Sequence, residues 1–339
     1  MDPVSQAVLG GAVGYIVAGK KAPRKAIIAG MTLAILPDLD IFISYENDLD
    51  SMTYHRSWTH SWIVHTLLAP LFAWIIWHFD KTLSYLRWLA IVWLAWVTHA
   101  GLDALTVFGT QLFWPFMPPP ASINSIFIID PLFTLPLLAG CGLLVWNSSS
   151  LRNHHIMIAA IIFSHLYLVW GLAVQGHVDH RVQQSLQANG ISSQKIMITP
   201  TPLNSILWRV LVMDQTHYYE GFYSLLDGKQ QIHFERFDRG MAAQEFLSDL
   251  DSYQRMRWFN DGFYRLAMVE NDILATDLRM GSEPYYFFTF KLAELSDGEV
   301  IPVQPEQIRT PQPRVESVRW AWQRIWQSDL QPISVESPH

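Results

Sequence analysis

Along the first 175 residues apolar positions gather into six runs, roughly 4–18, 26–43, 61–77, 88–108, 123–146 and 156–175, parted by short polar joints. A helix needs about 20 predominantly apolar residues to cross a bilayer. The last three runs reach that length, the second and third come close, and the first is short enough for a half-inserted helix. Ala7, Gly10, Gly11, Gly14 and Ala18 mark that first run for close packing, because small residues let helix backbones approach. After residue 175 the pattern changes to short runs rich in β-branched and aromatic residues, at 195–201, 206–213, 217–225, 231–237, 262–269 and 285–292. Several alternate with period two, as strands do. Asp227-Gly228 is a turn signal between the third and fourth, and helices are expected at 241–253 and 315–327. The predicted fold is an α-helical integral membrane domain of about six helices (1–175), a linker (176–192), a β-rich, α+β soluble domain (193–328) and a disordered tail (329–339).

Composition sharpens this division. The hydrophobic fraction of 50% and mean hydropathy of +0.14 average over two unlike halves. Residues 1–175 hold nine of the 30 acids (Asp2, Asp38, Asp40, Glu46, Asp48, Asp50, Asp80, Asp103 and Asp130) and eight of the 23 Lys and Arg. A net charge of −7 without a basic stretch argues against a nucleic-acid ligand. Cys141 is the single cysteine, which rules out an intrachain disulfide and a thiolate metal cluster. No secretory leader is expected, since the basic cluster follows the first apolar run rather than preceding it.

Loop charges predict an orientation. Lys20, Lys21, Arg24, Lys25, Lys81, Arg87 and Arg152 occupy one set of alternate loops, and the other set, 44–60 and 109–122, carries Arg56 alone. The positive-inside rule puts the first set in the cytoplasm and, with six crossings, the C-terminal domain outside. The same orientation brings Asp2, Asp38, Asp40, His55, His60, His99, Asp103 and Asp130 to the outer ends of their helices, although none of them was used to derive it.

Those residues carry the candidate chemistry. Pro37-Asp38-Leu39-Asp40 ends an apolar run, His55-Arg56-Ser57-Trp58-Thr59-His60-Ser61 precedes one, and His99 and Asp103 are spaced for one helix face. Ionisable side chains at such positions are costly and tend to be functional. Asp38, Asp40, His55, His60, His99 and Asp103 form a ligand set for a divalent metal, zinc first and manganese second. Asp38, Asp40 and His60 are the candidate catalytic groups, and Arg56 the candidate for meeting an anionic substrate. Thr59 and Ser61 are placed to orient His60 or to cap a helix, with Asp2 and Asp130 in supporting positions. His65, His78, His154 and His155 read as packing or interface residues, and Asp48 and Asp50 as a solvated loop.

The ordered motifs Met1-Asp2-Pro3-Val4-Ser5-Gln6, Pro37-Asp38-Leu39-Asp40, His55-Arg56-x-x-Thr59-His60-Ser61, Thr98-His99-x-x-x-Asp103, Gly109-Thr110-Gln111 and Ile129-Asp130-Pro131-Leu132 resemble those of the bacterial YdjM-like (DUF457) membrane-bound metal-dependent hydrolases. The resemblance covers about residues 1–175. It implies a metal site and a hydrolytic reaction, and it adds Gln6 to the supporting residues, at a place where many members show a Thr-His pair instead of Ser5-Gln6.

The sequence therefore predicts a multi-pass bacterial inner-membrane metallohydrolase, working at the outer membrane–water interface on a phosphoester or lipid-linked substrate among membrane lipids. Two rivals compete with it. One is a metal or ion transporter, which would need polar residues through the bilayer, His165 among them. The other is a non-enzymatic scaffold with a structural metal and a partner-binding C-terminal domain.

Overall fold

A computed structural model describes residues 1–296, 299–309 and 314–332. The chain divides into two compact units, Met1–Ile43 with Tyr54–Leu172, and Ser44–Thr53 with Ala173–His339.

The first unit is helical. Its elements are α1 (Pro3–Ala18), α2 (Pro23–Ile35), a 3-10 segment (Leu36–Phe42), the end of α3 (Asp48–Tyr54), a 3-10 turn (Trp58–His60), α4 (Trp62–Phe79), α5 (Tyr85–Ala104), α6 (Pro131–Trp146) and the first half of α7 (Leu151–Asn189). α1 and α2 pack backbone against backbone. A Cβ on Gly10 would stand 2.3 Å from the Gly30 carbonyl oxygen, and one on Gly14 only 2.0 Å from that of Ala26. The small residues of the first apolar run are thus needed where expected. α1 packs on α6 and α7 through Val8, Ala12, Leu137, Cys141 and Met157. α2, α4 and α5 share a second core around Ala26, Ala69, Trp88 and Trp96.

Six crossings were expected, and two helices among the described residues are both long and apolar enough to span a membrane, α4 with 18 residues and α7 with 39. α1 and α6 are apolar but have 16 residues each. α2 stops after 13, because the chain tightens into the 3-10 segment at Pro37 and gives the rest of its apolar run to that segment.

The second unit holds two antiparallel four-stranded sheets, ordered β1-β2-β3-β4 and β5-β6-β7-β8. The first comprises β1 (Lys195–Pro200), β2 (Leu207–Met213), β3 (His217–Ser224) and β4 (Phe234–Asp238). The second comprises β5 (Tyr264–Val269), β6 (Asp272–Ser282), β7 (Tyr285–Ser296) and β8 (Glu299–Gln307). α8 (Gln244–Leu247) and α9 (Asp251–Phe259) connect the sheets, and α10 (Arg314–Arg324) follows them. Six of the eight strands match the predicted runs; β6 and β8 were not foreseen. Asp227-Gly228 does lie in the β3–β4 connection, with Gly228 at φ +64°, but within a longer loop than a two-residue hairpin.

The expected linker 176–192 is helical as far as Asn189. Val174, Val178, Val182 and Leu186, one turn apart, are buried against Ile198, Trp208, Val210 and Tyr223 of the first sheet. Of the expected disordered tail, residues 333–339 lie outside the described residues.

Residues 44–53 belong to the second unit, and Asp48 and Asp50, expected in a solvated loop, instead lie in the first turn of α3. The Asp48 carboxylate accepts the Gln307 N–H at 2.9 Å, and Asp50 pairs with Arg255 at 3.1 Å. The segment is therefore bound, although in sequence it falls between the site segments Leu36–Phe42 and Trp58–His60.

Candidate metal centre

Asp38 comes from the 3-10 segment that Pro37 initiates after α2. His60 ends the 3-10 turn Trp58–His60, and Ser61 then caps α4 by accepting the N–H groups of Ile63 and Val64 at 3.2 and 3.4 Å. The Ser61 hydroxyl donates to the Trp114 carbonyl at 2.7 Å, tying the turn to the loop after α5. His99 and Asp103 stand one turn apart near the end of α5, so both face the same way.

These four side chains converge, and each offers one ligand atom within 4.8 Å of the other three. His60 Nε2 lies 3.0 Å from His99 Nε2, 3.3 Å from Asp38 Oδ1 and 3.2 Å from Asp103 Oδ2. His99 Nε2 lies 3.4 Å from Asp38 Oδ1 and 3.5 Å from Asp103 Oδ2. A tetrahedral ion with bonds of about 2.0–2.1 Å has ligand–ligand edges of about 3.3–3.4 Å. The five edges that involve His60 or His99 scatter about that value, from 3.0 to 3.5 Å.

The unused valences agree with a cation. Asp103 Oδ1 accepts from Gln6 Nε2 at 2.9 Å, pairs with Arg56 at 3.2 Å and is met by the Met1 amino group. Its other oxygen, Oδ2, is fully buried and accepts no hydrogen bond, although it faces both imidazoles. A buried carboxylate oxygen left without a donor costs about 1–3 kcal/mol or more, and a bound cation removes that cost.

Asp40 and His55, also expected as ligands, are placed differently. The Asp40 carboxylate accepts from Thr59 Oγ1 at 2.7 Å and from the Arg56 N–H at 3.0 Å, and its other oxygen meets His55 Nδ1 at 2.8 Å. With both oxygens engaged, Asp40 stands one layer behind the donors, and His55 stands with it. The physical reason is local: neighbours two apart in a 3-10 segment diverge, so Asp38 and Asp40 face different partners.

That outer layer fixes the tautomer of His60. Thr59 has one hydroxyl proton, and Asp40 takes it. The Thr59 oxygen, 3.0 Å from His60 Nδ1, must then accept from the ring. A neutral His60 with hydrogen on Nδ1 presents a bare Nε2 lone pair to Asp38, His99 and Asp103, the form that ligates metals. His65 was read as packing, yet its Nε2 meets the Thr59 carbonyl at 2.7 Å and steadies the same turn. His99 Nδ1 has no such partner among the described residues.

Arg56 was expected to meet an anionic substrate. It is buried instead, with NH1 3.4 Å from Thr106 Oγ1 and the guanidinium over the Phe108 ring, and its charge is committed to Asp103. Its backbone sits at φ +61°, a strained position for a non-glycine residue, held by Asp40 on its N–H and by the Gln111 N–H on its carbonyl at 3.0 Å. Asp2 and Asp130 stand outside the cluster as helix caps. Asp2 accepts from the N–H groups of Val4 and Ser5, and Asp130 from the Leu132 N–H at 3.0 Å and the Tyr167 hydroxyl at 2.8 Å. His165, the residue a transport path would need, faces outward and bonds the Ile161 carbonyl of its own helix at 2.8 Å.

A helical unit closed at one end around two histidines and two aspartates defines a class of membrane-associated protein with a metal-type donor cluster. The chain belongs to the YdjM inner membrane protein family, whose model matches residues 1–178. It is also similar to the uncharacterized protein YfhP of Bacillus subtilis (strain 168), at 25% identity over 309 residues, which is 85% of this chain and 89% of that protein. Since 309 aligned residues exceed the 178 of the family match, this likeness continues into the second unit. No solved structure matches the chain.

Proposed function

We propose that this protein is an inner-membrane, metal-dependent hydrolase in which Asp38, His60, His99 and Asp103 hold one divalent ion. The observation that carries the reading is the convergence of four donor atoms, one of them a buried carboxylate oxygen without a hydrogen bond, within 4.8 Å of one another, with five of their six separations at 3.0–3.5 Å. Two nitrogens and two oxygens in that shape favour zinc over manganese, which prefers octahedral oxygen sites. A divalent ion supplies Lewis acidity and lowers the pKa of water from 15.7 to about 7.

Asp38 is the member that makes the site reactive. Its side chain is 17% exposed, whereas those of His60, His99 and Asp103 are 0% exposed. Four closed protein ligands mark structural zinc, and an open or exchangeable position marks catalytic zinc. Asp38 is the one donor that reaches solvent, so it is the carboxylate placed to take a proton from an entering water. His60, held by Thr59 and Asp40, keeps its geometry while Asp38 works. Arg56 offsets the charge of Asp103.

The 3-10 segment that carries Asp38 exposes Ile41 and Phe42 at 72% and 81%, and the loop after α5 exposes Phe113, Phe116 and Met117. Apolar side chains beside a polar site suit a substrate with a lipid part, and a phosphoester or other lipid-linked ester is the class we assign. The positive-inside charge bias supports the reading that this end lies on the outer side of the membrane in a multi-pass arrangement. Reporter fusions after residues 22, 84 and 151 would then read cytoplasm, and fusions after 50, 116 and 200 the outer side.

The deciding experiment is metal analysis of detergent-purified protein, followed by a phosphoester and lipid hydrolysis screen on wild type and Asp38→Ala. Weakened metal binding in the variant that excess zinc restores, with turnover still lost, supports the reading. Wild-type protein that holds metal and hydrolyses nothing in the screen would favour a structural metal in a scaffold.

A further inference from the structure

The opposite end of the helical unit carries a basic cavity. There the α1–α2 turn and the α6–α7 turn flank a cavity of about 540 Å³, lined by Lys20, Lys21, Arg24, Lys25, Ser148 and Ser149 among others. The cavity is built rather than incidental. The Arg24 guanidinium bonds the Trp146 carbonyl and joins α2 to the end of α6. Buried His154 meets the Ser148 carbonyl at 3.0 Å through Nε2 and the Tyr15 hydroxyl at 3.1 Å through Nδ1, fixing the second turn against α1. Asn153 Nδ2 donates to the carbonyls of Leu143 and Asn147, both at 2.9 Å.

The electrostatics are of one sign. Four cations line the cavity and no carboxylate does. Lys25 pairs with Asp80 at 2.8 Å, but Lys20, Lys21 and Arg24 have no carboxylate partner among the described residues. α2, 13 residues long, starts here without a side-chain cap, and Pro23 at its first position has no N–H. An uncapped helix start adds positive potential and open backbone N–H groups to the cationic cluster. The Ser148 and Ser149 hydroxyls complete a set of donors suited to tetrahedral phosphate oxygens. Leu151, exposed at 58%, lines the cavity, and Trp146 of α6, whose carbonyl Arg24 holds, is exposed at 82%, so the site has an apolar flank on α6 and α7.

We propose that this cavity binds the phosphate of an anionic phospholipid headgroup. Its volume exceeds that of a bare phosphate and suits a phosphodiester with a small polar substituent. Basic pockets between apolar helices hold acidic lipid headgroups in this way. The site is independent of the metal centre, and nothing in its chemistry depends on hydrolysis.

The test uses the full chain in detergent, titrated with short-chain phosphatidylglycerol, short-chain phosphatidylcholine or inorganic phosphate and read by thermal stability. Phosphatidylglycerol should stabilise the protein, and zwitterionic phosphatidylcholine should do so far less. Lys20→Gln with Lys21→Gln should weaken phosphatidylglycerol binding on the order of tenfold to thirtyfold. Lys81→Gln is the control, since Lys81 stacks on Trp77 outside the cavity and its loss should leave binding unchanged. Inorganic phosphate that gives the full effect alone would identify the free anion as the source of the bound phosphate. Equal stabilisation by the two lipids, or equal weakening by Lys81→Gln and by the double variant, would overturn the proposal in favour of general surface charge.

Discussion

His60 and His99 meet Nε2 to Nε2 at 3.0 Å, although they lie 39 residues apart on different elements. One proton between the two nitrogens would satisfy that contact, but it would leave Asp103 Oδ2 without a donor. A divalent ion satisfies all four groups together. We therefore expect about one equivalent of metal in purified protein, most of it zinc, measured by inductively coupled plasma mass spectrometry. His99→Ala should lose it. Asp130→Asn should keep it, because Asp130 caps α6 and pairs with Tyr167 away from the donors. Metal retained at full stoichiometry by His99→Ala would remove His99 from the site.

The link from Asp40 through Thr59 to His60 has its own test. Thr59→Val keeps the side-chain shape and deletes the oxygen that accepts from Nδ1. Outer-layer partners of ligating histidines are worth about 10–100-fold in metal affinity, so a chelator competition should show a loss of that size with unchanged stoichiometry at saturation. Thr59→Ser should restore most of it. An unchanged affinity in Thr59→Val would mean that the orientation of His60 comes from packing alone.

Much of this site was legible before any coordinates. His99 and Asp103 follow from helix spacing, and the metal-type residue set from its cost in an apolar chain. The division of labour between Asp38 and Asp40 was not legible, because it depends on the turn of a 3-10 segment that reads as the end of an apolar helix. Nor was the burial of Arg56, which rests on Thr106 and Phe108, 50 residues or more away in sequence. In the second unit β6 was hidden by Asp277 and Arg279, which look like loop residues but pair with each other at 2.7 Å inside the fold. β8 was hidden by Pro302 and Pro305, which an edge strand tolerates. The helical continuation through 176–189 was visible in the four-residue spacing of Val174, Val178 and Val182, but the polar residues between them outweighed it.

At the basic end of the helical unit, Asp80 gives a pH-dependent expectation. Its carboxyl is held down at about 2, first by the hydrogen bond from Lys25 and then by those from Thr82. A depressed folded-state value stabilises the protein above the ordinary carboxyl range, and that contribution fades as pH falls from about 4 toward 2. Asp80→Asn keeps an acceptor for the Thr82 N–H and removes only the charge. The pair is largely exposed, with 51% of Lys25 and 26% of Asp80 accessible, so the effect should stay below about 1 kcal/mol. Thermal unfolding should show a small gap between wild type and variant at pH 7 that closes near pH 2. A gap of constant size across that range would assign it to packing.

Arg56 separates a metal centre from a merely structural ion-pair cluster. Its guanidinium lies 3.2 Å from Asp103 Oδ1, and the two side chains are 7% and 0% exposed. Removing one partner of a buried pair costs about 3–5 kcal/mol where the other charge is left uncompensated. Here the Met1 amino group and Gln6 remain on Asp103 Oδ1, so the cost falls toward the lower end. The backbone adds little to the difference, since alanine at φ +61° is strained about as much as arginine. If a divalent ion shares Asp103, then the ion compensates that carboxylate when arginine is gone. The removed positive charge also ceases to repel the ion. Arg56→Ala should therefore be strongly destabilised with a chelator present and much less so with excess zinc. The zinc-induced rise in melting temperature should be larger in the variant than in wild type. Equal destabilisation under both conditions would mean that no ion shares the charge of Asp103, and that the four donors hold one another through protons alone.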